Sequence, residues 1–327
     1  MNNYIENGII YEDETKTTIV GYTEDIPNVV IIPGSVKYIG KNAFYKCKKL
    51  TNVTVLEGTT NIGDFAFFDC NSLTSITLPD SIINIGAEAF YRCIGLSSIT
   101  LPNSVTSIGW AAFIHCVGLT GITIPDSVTS IGESAFEDCA RLENVNVSDE
   151  NTVYDSRNNC NAIIETATNT LITGCKNTVI PDGITSIRDG AFGGCAGITS
   201  IVIPNSVTSI GNGTFFGCTG LTSITIPDSV TNIGIGAFEC CSNLISVIMS
   251  NNIASIEDYT FRGCLNLTKI TIPNSVTRIG ILAFSDCGNL KNVTIPKSVT
   301  SVGAFAFWNC NGLKNVTIPN SLIDKLD

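Results

Sequence analysis

The sequence predicts a solenoid, a β-rich α/β right-handed superhelix of about eleven 23-residue units. Three observations predict it. Phenylalanines recur every 23 residues, at Phe44, Phe67, Phe90, Phe113 and Phe136, then at Phe192, Phe215, Phe238, Phe261, Phe284 and Phe307. A cysteine follows each of them three residues later, from Cys47 to Cys310. And 23 residues cannot bury a core alone, so the units must stack and share one.

Each position of a unit has a physical reading, shown by residues 96–119. Ile99 and Leu101 alternate with polar residues, which predicts a short strand with one buried face. Pro102 lacks an N–H and ends that strand. Ser104 occupies a turn, where its hydroxyl reaches nearby backbone. Val105 and Ile108 point inward, and Gly109 relaxes the backbone at a corner. Ala112, Phe113 and Cys116 pack a returning arm, expected as a helical turn, and Leu119 opens the next strand.

The fourteen cysteines suggest a disulfide scaffold until their register is read. Eleven share one column, Cys47, Cys70, Cys93, Cys116, Cys139, Cys195, Cys218, Cys241, Cys264, Cys287 and Cys310, which is the pattern of a buried thiol repeated in a stack. Cys160, Cys175 and Cys240 fall outside it.

The run L-x-x-I-x-I-P-x-S-V-T-x-I-G-x-x-A-F-x-x-C resembles the leucine-rich repeats of the BspA-like family, also called the Treponema pallidum type. It covers residues 29–147 and 179–321, with Ser-Val-Thr-Ser-Ile-Gly at 104–109, 127–132 and 206–211. Leu56, Ser148 and Ser250 stand where the pattern has proline, and Arg188 and Glu257 replace the corner glycine. The resemblance implies a leucine-rich-repeat solenoid that recognises partners without catalysis. It also implies a cell-surface or secreted, adhesin-like protein of bacteria or parasitic protists, binding extracellular-matrix or other surface proteins.

The expected organisation is one continuous solenoid: a hairpin cap at 1–28, repeats at 29–147, a hairpin insert at 148–178, and repeats at 179–327. The cap rests on strands near Gly8–Tyr11 and Thr18–Tyr22, the insert on Ala162–Glu165 and Thr170–Thr173. Pairing Glu165 with Thr170 would set Cys160 opposite Cys175, so a disulfide and a pair of half-buried thiols both stand as readings. The last residues stop inside a twelfth unit; either Leu322, Ile323 and Leu326 fold over as a minimal cap or the natural chain continues, and a bare end could pair end to end with another molecule.

Little in the chain points to chemistry. A net charge of −11 disfavours nucleic acid. No apolar run is long enough to span a bilayer, and the first residues carry no secretory signal. The single histidine, His115, precedes an inward Cys116 and leaves no conventional triad or histidine-rich metal site. Neither a cofactor nor a metal is expected.

Binding is sought on two outward columns. One is hydroxyl-rich and nearly uncharged: Ser75, Thr77, Ser98, Thr100, Thr123, Ser223, Thr225, Thr271, Thr294 and Thr317, on an expected concave face suited to protein or glycan. Its plainer reading is strand propensity. The other is aromatic, Tyr45, Phe68 and Tyr91 with Trp110 nearby, either a partner patch or packing between units. A recognition scaffold at the cell surface leads. An intracellular scaffold or effector module in the cytoplasm is the alternative, favoured by a thiol column suited to reducing conditions. An enzyme or an ice-binding protein is a distant third.

Overall fold

The computed structural model describes residues 3–319, and the chain forms two compact units, Met1–Ser156 and Arg157–Asp327. Both are β-solenoids with a 23-residue step. In the first unit, β1 (Tyr4–Glu6), β2 (Ile9–Tyr11) and β3 (Thr18–Tyr22) run antiparallel in that order. The repeats follow with β4 (Val29–Ile32), β5 (Tyr38–Ile39), β6 (Asn52–Val55), β7 (Asn61–Ile62) and β8 (Ser75–Thr77). Two parallel ladders result. One runs β3–β5–β7 and on through Asn84–Ile85, Ser107–Ile108 and Ser130–Ile131; the other is β4–β6–β8. Parallel pairing in register is what superposes each inward residue on its counterpart, as Val53 on Ile76 and Ile39 on Ile62.

The core is the set of ladders the spacing predicts. Phe44, Phe67, Phe90, Phe113 and Phe136 stack with ring centroids 5.1–5.3 Å apart and planes within 10°. Phe192 to Phe307 stack likewise in the second unit, at 5.2–5.5 Å and within 12°. Where a phenylalanine unit precedes, the column thiol donates to that phenylalanine's carbonyl, as Cys116 Sγ to Phe90 O at 3.1 Å; Cys195, which follows the hairpin, turns to Gly174 O instead. The Phe90 carbonyl already accepts the N–H of its own cysteine, Cys93, so both lone pairs are used. Cysteine suits the column because it is small, apolar and still a weak donor.

The returning arm is not a helical turn. No α-helix occurs among the described residues; the one helical segment is a three-residue 3-10 turn at Arg157–Asn159. In the arm, alternate N–H groups leave the unit: Phe44 N donates to Ala66 O at 2.7 Å and Lys46 N to Phe68 O at 2.7 Å, while Tyr45 and Cys47 bond within their own turn. The alternation requires a left-handed residue two positions before and after each phenylalanine, as at Ala111 (φ 53°) and His115 (φ 58°). Such a residue costs about 1–2 kcal/mol unless it is glycine, and inter-unit hydrogen bonds of about 1 kcal/mol each offset that cost. The spacing Ala-Phe-x-x-Cys matches a helix by coincidence of period.

The corner glycines also act differently from expectation. Gly109 has no left-handed φ; a Cβ there would sit 2.5 Å from Ala87 N and Gly86 C. Close approach of successive backbones, not torsional freedom, demands glycine. Arg188 keeps the backbone bond of the corner, its N–H meeting Leu171 O at 2.9 Å. At Glu257 the carboxylate turns onto Arg278, 2.6 Å away.

In the second unit, Ala162–Glu165 and Thr170–Gly174 pair antiparallel, and the latter continues in parallel to Ser186–Ile187, Ser209–Ile210 and Asn232–Ile233. Glu165 does face Thr170, but a bulge between Ile163 and Ile164 shifts the register so that Ala162 faces Gly174. Cys160 therefore does not lie opposite Cys175; both are buried, and Cys175 Sγ donates to Asn161 O at 3.5 Å. The register argument for a disulfide fails on that one extra residue. Residues Leu322, Ile323 and Leu326 lie outside the described residues.

Candidate functional site

All ten hydroxyl residues of the outward column are exposed: Ser75, Thr77, Ser98, Thr100, Thr123, Ser223, Thr225, Thr271, Thr294 and Thr317. Period-two alternation places them there, since Ile76, Ile99, Ile122, Ile224 and Val293 take the buried side. Register brings Thr54 beside Thr77 and Thr294 beside Thr317. The column is not uniform. In the second unit Val202 (81% exposed) and Ile248 (64% exposed) flank Thr225 one step away on either side.

What separates this column from the other threonines is its hydrogen bonding. Thr60, Thr74, Thr208 and Thr277 each donate to a carbonyl 23 residues earlier, at 3.0–3.2 Å. Among the described residues the hydroxyls of Thr77, Thr100, Thr123, Thr225, Thr271 and Thr294 make no such bond. Ser75 accepts Asn52 Nδ2 at 2.7 Å. A row of exposed, uncharged donor–acceptors not used by the fold can exchange water for a partner's polar groups at little desolvation cost.

The face is also contoured. In the first unit Thr100, Thr123, Asn144 and Asn146 line a groove of about 410 Å³ whose floor includes Ile99 and Ile122. In the second, Thr271, Thr294, Lys269 and Lys291 line one of about 690 Å³. Asn144 and Lys269 were not singled out from sequence; they are outward by the same alternation, which is the signal that finds them, whereas Lys291 precedes its strand and alternation does not place it.

The aromatic column is a packed ladder. Tyr45 stacks on Phe68 at 4.9 Å and Phe68 on Tyr91 at 4.6 Å, with planes 17° and 3° apart, and His115 meets Tyr91 edge-on at 5.5 Å. The ring faces are spent on one another, and Lys46 lies over the Tyr45 ring at 5.1 Å. Edges remain for contact, not faces. Trp110 is 53% exposed and is not brought into the stack.

No reactive pair assembles around His115. Its Nδ1 lies 3.3 Å from Asp138 Oδ2, while Cys116 Sγ points inward to Phe90 O. Burial pushes the Cys70 thiol up to about 12 and holds Cys93 and Cys116 well above the usual thiol value. Only a thiolate is an effective nucleophile, so the column is chemically quiet. Cys240 is exposed, and partial burial with Glu239 nearby raises it too. Among the described residues no group of three or more His, Cys, Asp or Glu gathers to hold a metal, and no helix is long and apolar enough to cross a membrane.

Known proteins share this architecture. A family model described as BspA type leucine rich repeat region (6 copies) matches residues 22–143, 60–173, 163–291 and 254–325. A leucine-rich repeat protein from Eubacterium ventriosum superposes with a TM-score of 0.82 at 27% identity, over 93% of this chain and 85% of its own. A leucine rich cell surface protein from Faecalibacterium prausnitzii gives 0.72 at 27%, over 99% and 97%. A leucine-rich repeat protein from Bacteroides ovatus gives 0.60 at 30%, over 98% and 87%. No curated protein matches the chain.

Proposed function

Because the chain belongs to the BspA-type leucine-rich-repeat family, we propose that it is a non-catalytic recognition scaffold that meets a protein or glycan partner through its outward strand face, at the cell surface. The observation that carries the face is its row of exposed hydroxyls unused by the fold, beside threonines that are used. The cell-surface description of the Faecalibacterium relative supports the location. On this reading the partner is an extracellular protein or a neutral glycan, because the first-unit groove is uncharged and sets Thr100, Thr123, Asn144 and Asn146 beside apolar Ile99 and Ile122.

The test is an affinity screen of the full chain against extracellular-matrix proteins and a glycan array, repeated with Ser98→Lys, Thr100→Lys and Thr123→Lys combined. These exposed positions change folding by only about 0.5 kcal/mol each. Binding to the captured partner should weaken by about tenfold or more, ~1.4 kcal/mol. Unchanged affinity would move the site off this face.

The column of one buried cysteine per unit favours a second reading, an intracellular scaffold, since such a column suits a reducing compartment. Fractionation of the producing cell distinguishes the two.

A further inference from the structure

The β4–β6–β8 sheet stops at β4, and its outer edge is bare among the described residues. In a parallel ladder alternate residues turn their backbone groups to opposite neighbours. The Asn28 carbonyl accepts from Asn52 N of β6 and the Ile32 carbonyl from Leu56 N just past its end, so the amides and carbonyls of Val29 and Ile31 face away from β6. Those two side chains are 59% and 62% exposed. Beside them lies a groove of about 690 Å³, bounded by Glu6, Gly8, Tyr11 and Pro27. The meander β1–β2–β3 extends the other ladder and leaves this one open.

The second unit shows what such an edge takes. Its hairpin repeats the β2–β3 arrangement: Ile164 faces Leu171 as Tyr11 faces Ile19, with a bulge at the same step. The residue matching Ile31 is Val179, and its N–H donates to Cys160 O at 3.0 Å. The residue matching Cys160 is Asn7, which instead turns left-handed (φ 49°) with Gly8 into β1. A single backbone carbonyl, that of Cys160 between left-handed Asn159 and Asn161, meets the edge in one unit, and its counterpart is diverted in the other.

We propose that the open edge of β4 is a β-augmentation site for an extended peptide segment of a protein partner. The segment supplies backbone to the Val29 and Ile31 amides and carbonyls, and small apolar side chains to the groove. Pro27 and Pro33 bound the site to a short strand, because neither can donate. Asp25 and Glu6 stand at the groove, so a basic residue at the segment's end fits; Glu6 shares its charge with Lys16. Main-chain pairing provides affinity and the alternate side chains provide selectivity.

This inference rests on the reading of the chain as a recognition scaffold but uses a different surface. The probe is the peptide acetyl-Lys-Thr-Val-Thr-Val-Thr-Lys-amide, titrated into the 15N-labelled full chain. Saturable shifts are expected at the Val29 and Ile31 amides and not at Thr77 or Thr100. N-methylation of one alternate set of peptide amides should weaken binding by about tenfold or more, and methylation of the other set should not. Ile31→Pro removes a donor that no ladder uses and should abolish the shifts; if it disturbs the fold, the methylated peptides still decide. Lysines at Ser98, Thr100 and Thr123 should leave the shifts intact, which separates failure here from failure of the outward face. No shift at β4, or equal binding by both methylated peptides, overturns the proposal.

Discussion

Phe113→Ala should destabilise the first unit by about 3–5 kcal/mol, measured from denaturant midpoints at constant slope. Phe113 is fully buried and stacks on Phe90 and Phe136, at 5.2 and 5.3 Å. Truncation opens a gap between two parallel rings. Inter-unit hydrogen bonds on either side, such as Phe113 N to Ala135 O at 2.8 Å, hold the backbones in register, so the gap cannot collapse. A deficit of this size compares with the whole stability of a small domain, about 5–15 kcal/mol. Phe113→Leu refills most of the volume and should cost about 1.5 kcal/mol or less. If Phe113→Ala costs no more than Phe113→Leu, the ring ladder does not hold the stack.

Gly109→Ala should cost on the order of 3 kcal/mol although it adds one methyl group. The new Cβ meets backbone atoms, Ala87 N and Gly86 C at 2.5 Å, and backbone cannot swing aside as a side chain can. Relief requires parting two units, which strains Gly109 N to Ile85 O (2.8 Å) and Gly132 N to Ile108 O (2.9 Å) together. Gly288→Ala is the control. A Cβ at Gly288 meets nothing within 4 Å and its φ is not left-handed, so that change should stay within about 0.5 kcal/mol. Equal effects at both glycines would mean that chain entropy, and not close approach, explains the corner.

These two residues show how far sequence spacing reaches. The 23-residue period assigns the inward positions of the phenylalanine and cysteine columns, buried through Phe284 and Cys287 and half-buried at Phe307 and Cys310, because stacking repeats one environment per unit. It does not distinguish a helical turn from the alternating arm. Ala112, Phe113 and Cys116 sit at the same spacing in either, and the deciding feature, left-handed backbone two residues either side of the phenylalanine, falls on residues as unlike as Ala111, Leu282 and Gly213, so no one residue type marks it. The second ladder was equally hidden, since two-residue strands such as Ser107–Ile108 show no alternation. The period also reaches further than the insert boundary suggests. Tyr154 lies 23 residues after Ile131, is buried, and accepts the Ile131 N–H through its hydroxyl at 3.0 Å. Asn151, 23 residues after Val128, ties that segment to Pro125 O and Val128 O. On the candidate face, exposure followed from alternation; that the Thr100 and Thr123 hydroxyls are unspent did not, because Thr74 and Thr277 share their composition and differ only in the carbonyl beside them.

The central claim is a division of labour within each unit: inward positions hold the stack, and outward strand positions meet the partner. Saturation substitution of one unit, residues 96–118, with folding and partner binding read separately on the same variants, tests it most directly. The account predicts that folding fails at Ile99, Leu101, Val105, Ile108, Gly109, Phe113 and Cys116. Binding alone should fail at Ser98 and Thr100. One shared set of sensitive positions, or binding insensitive to both Ser98 and Thr100, would contradict it.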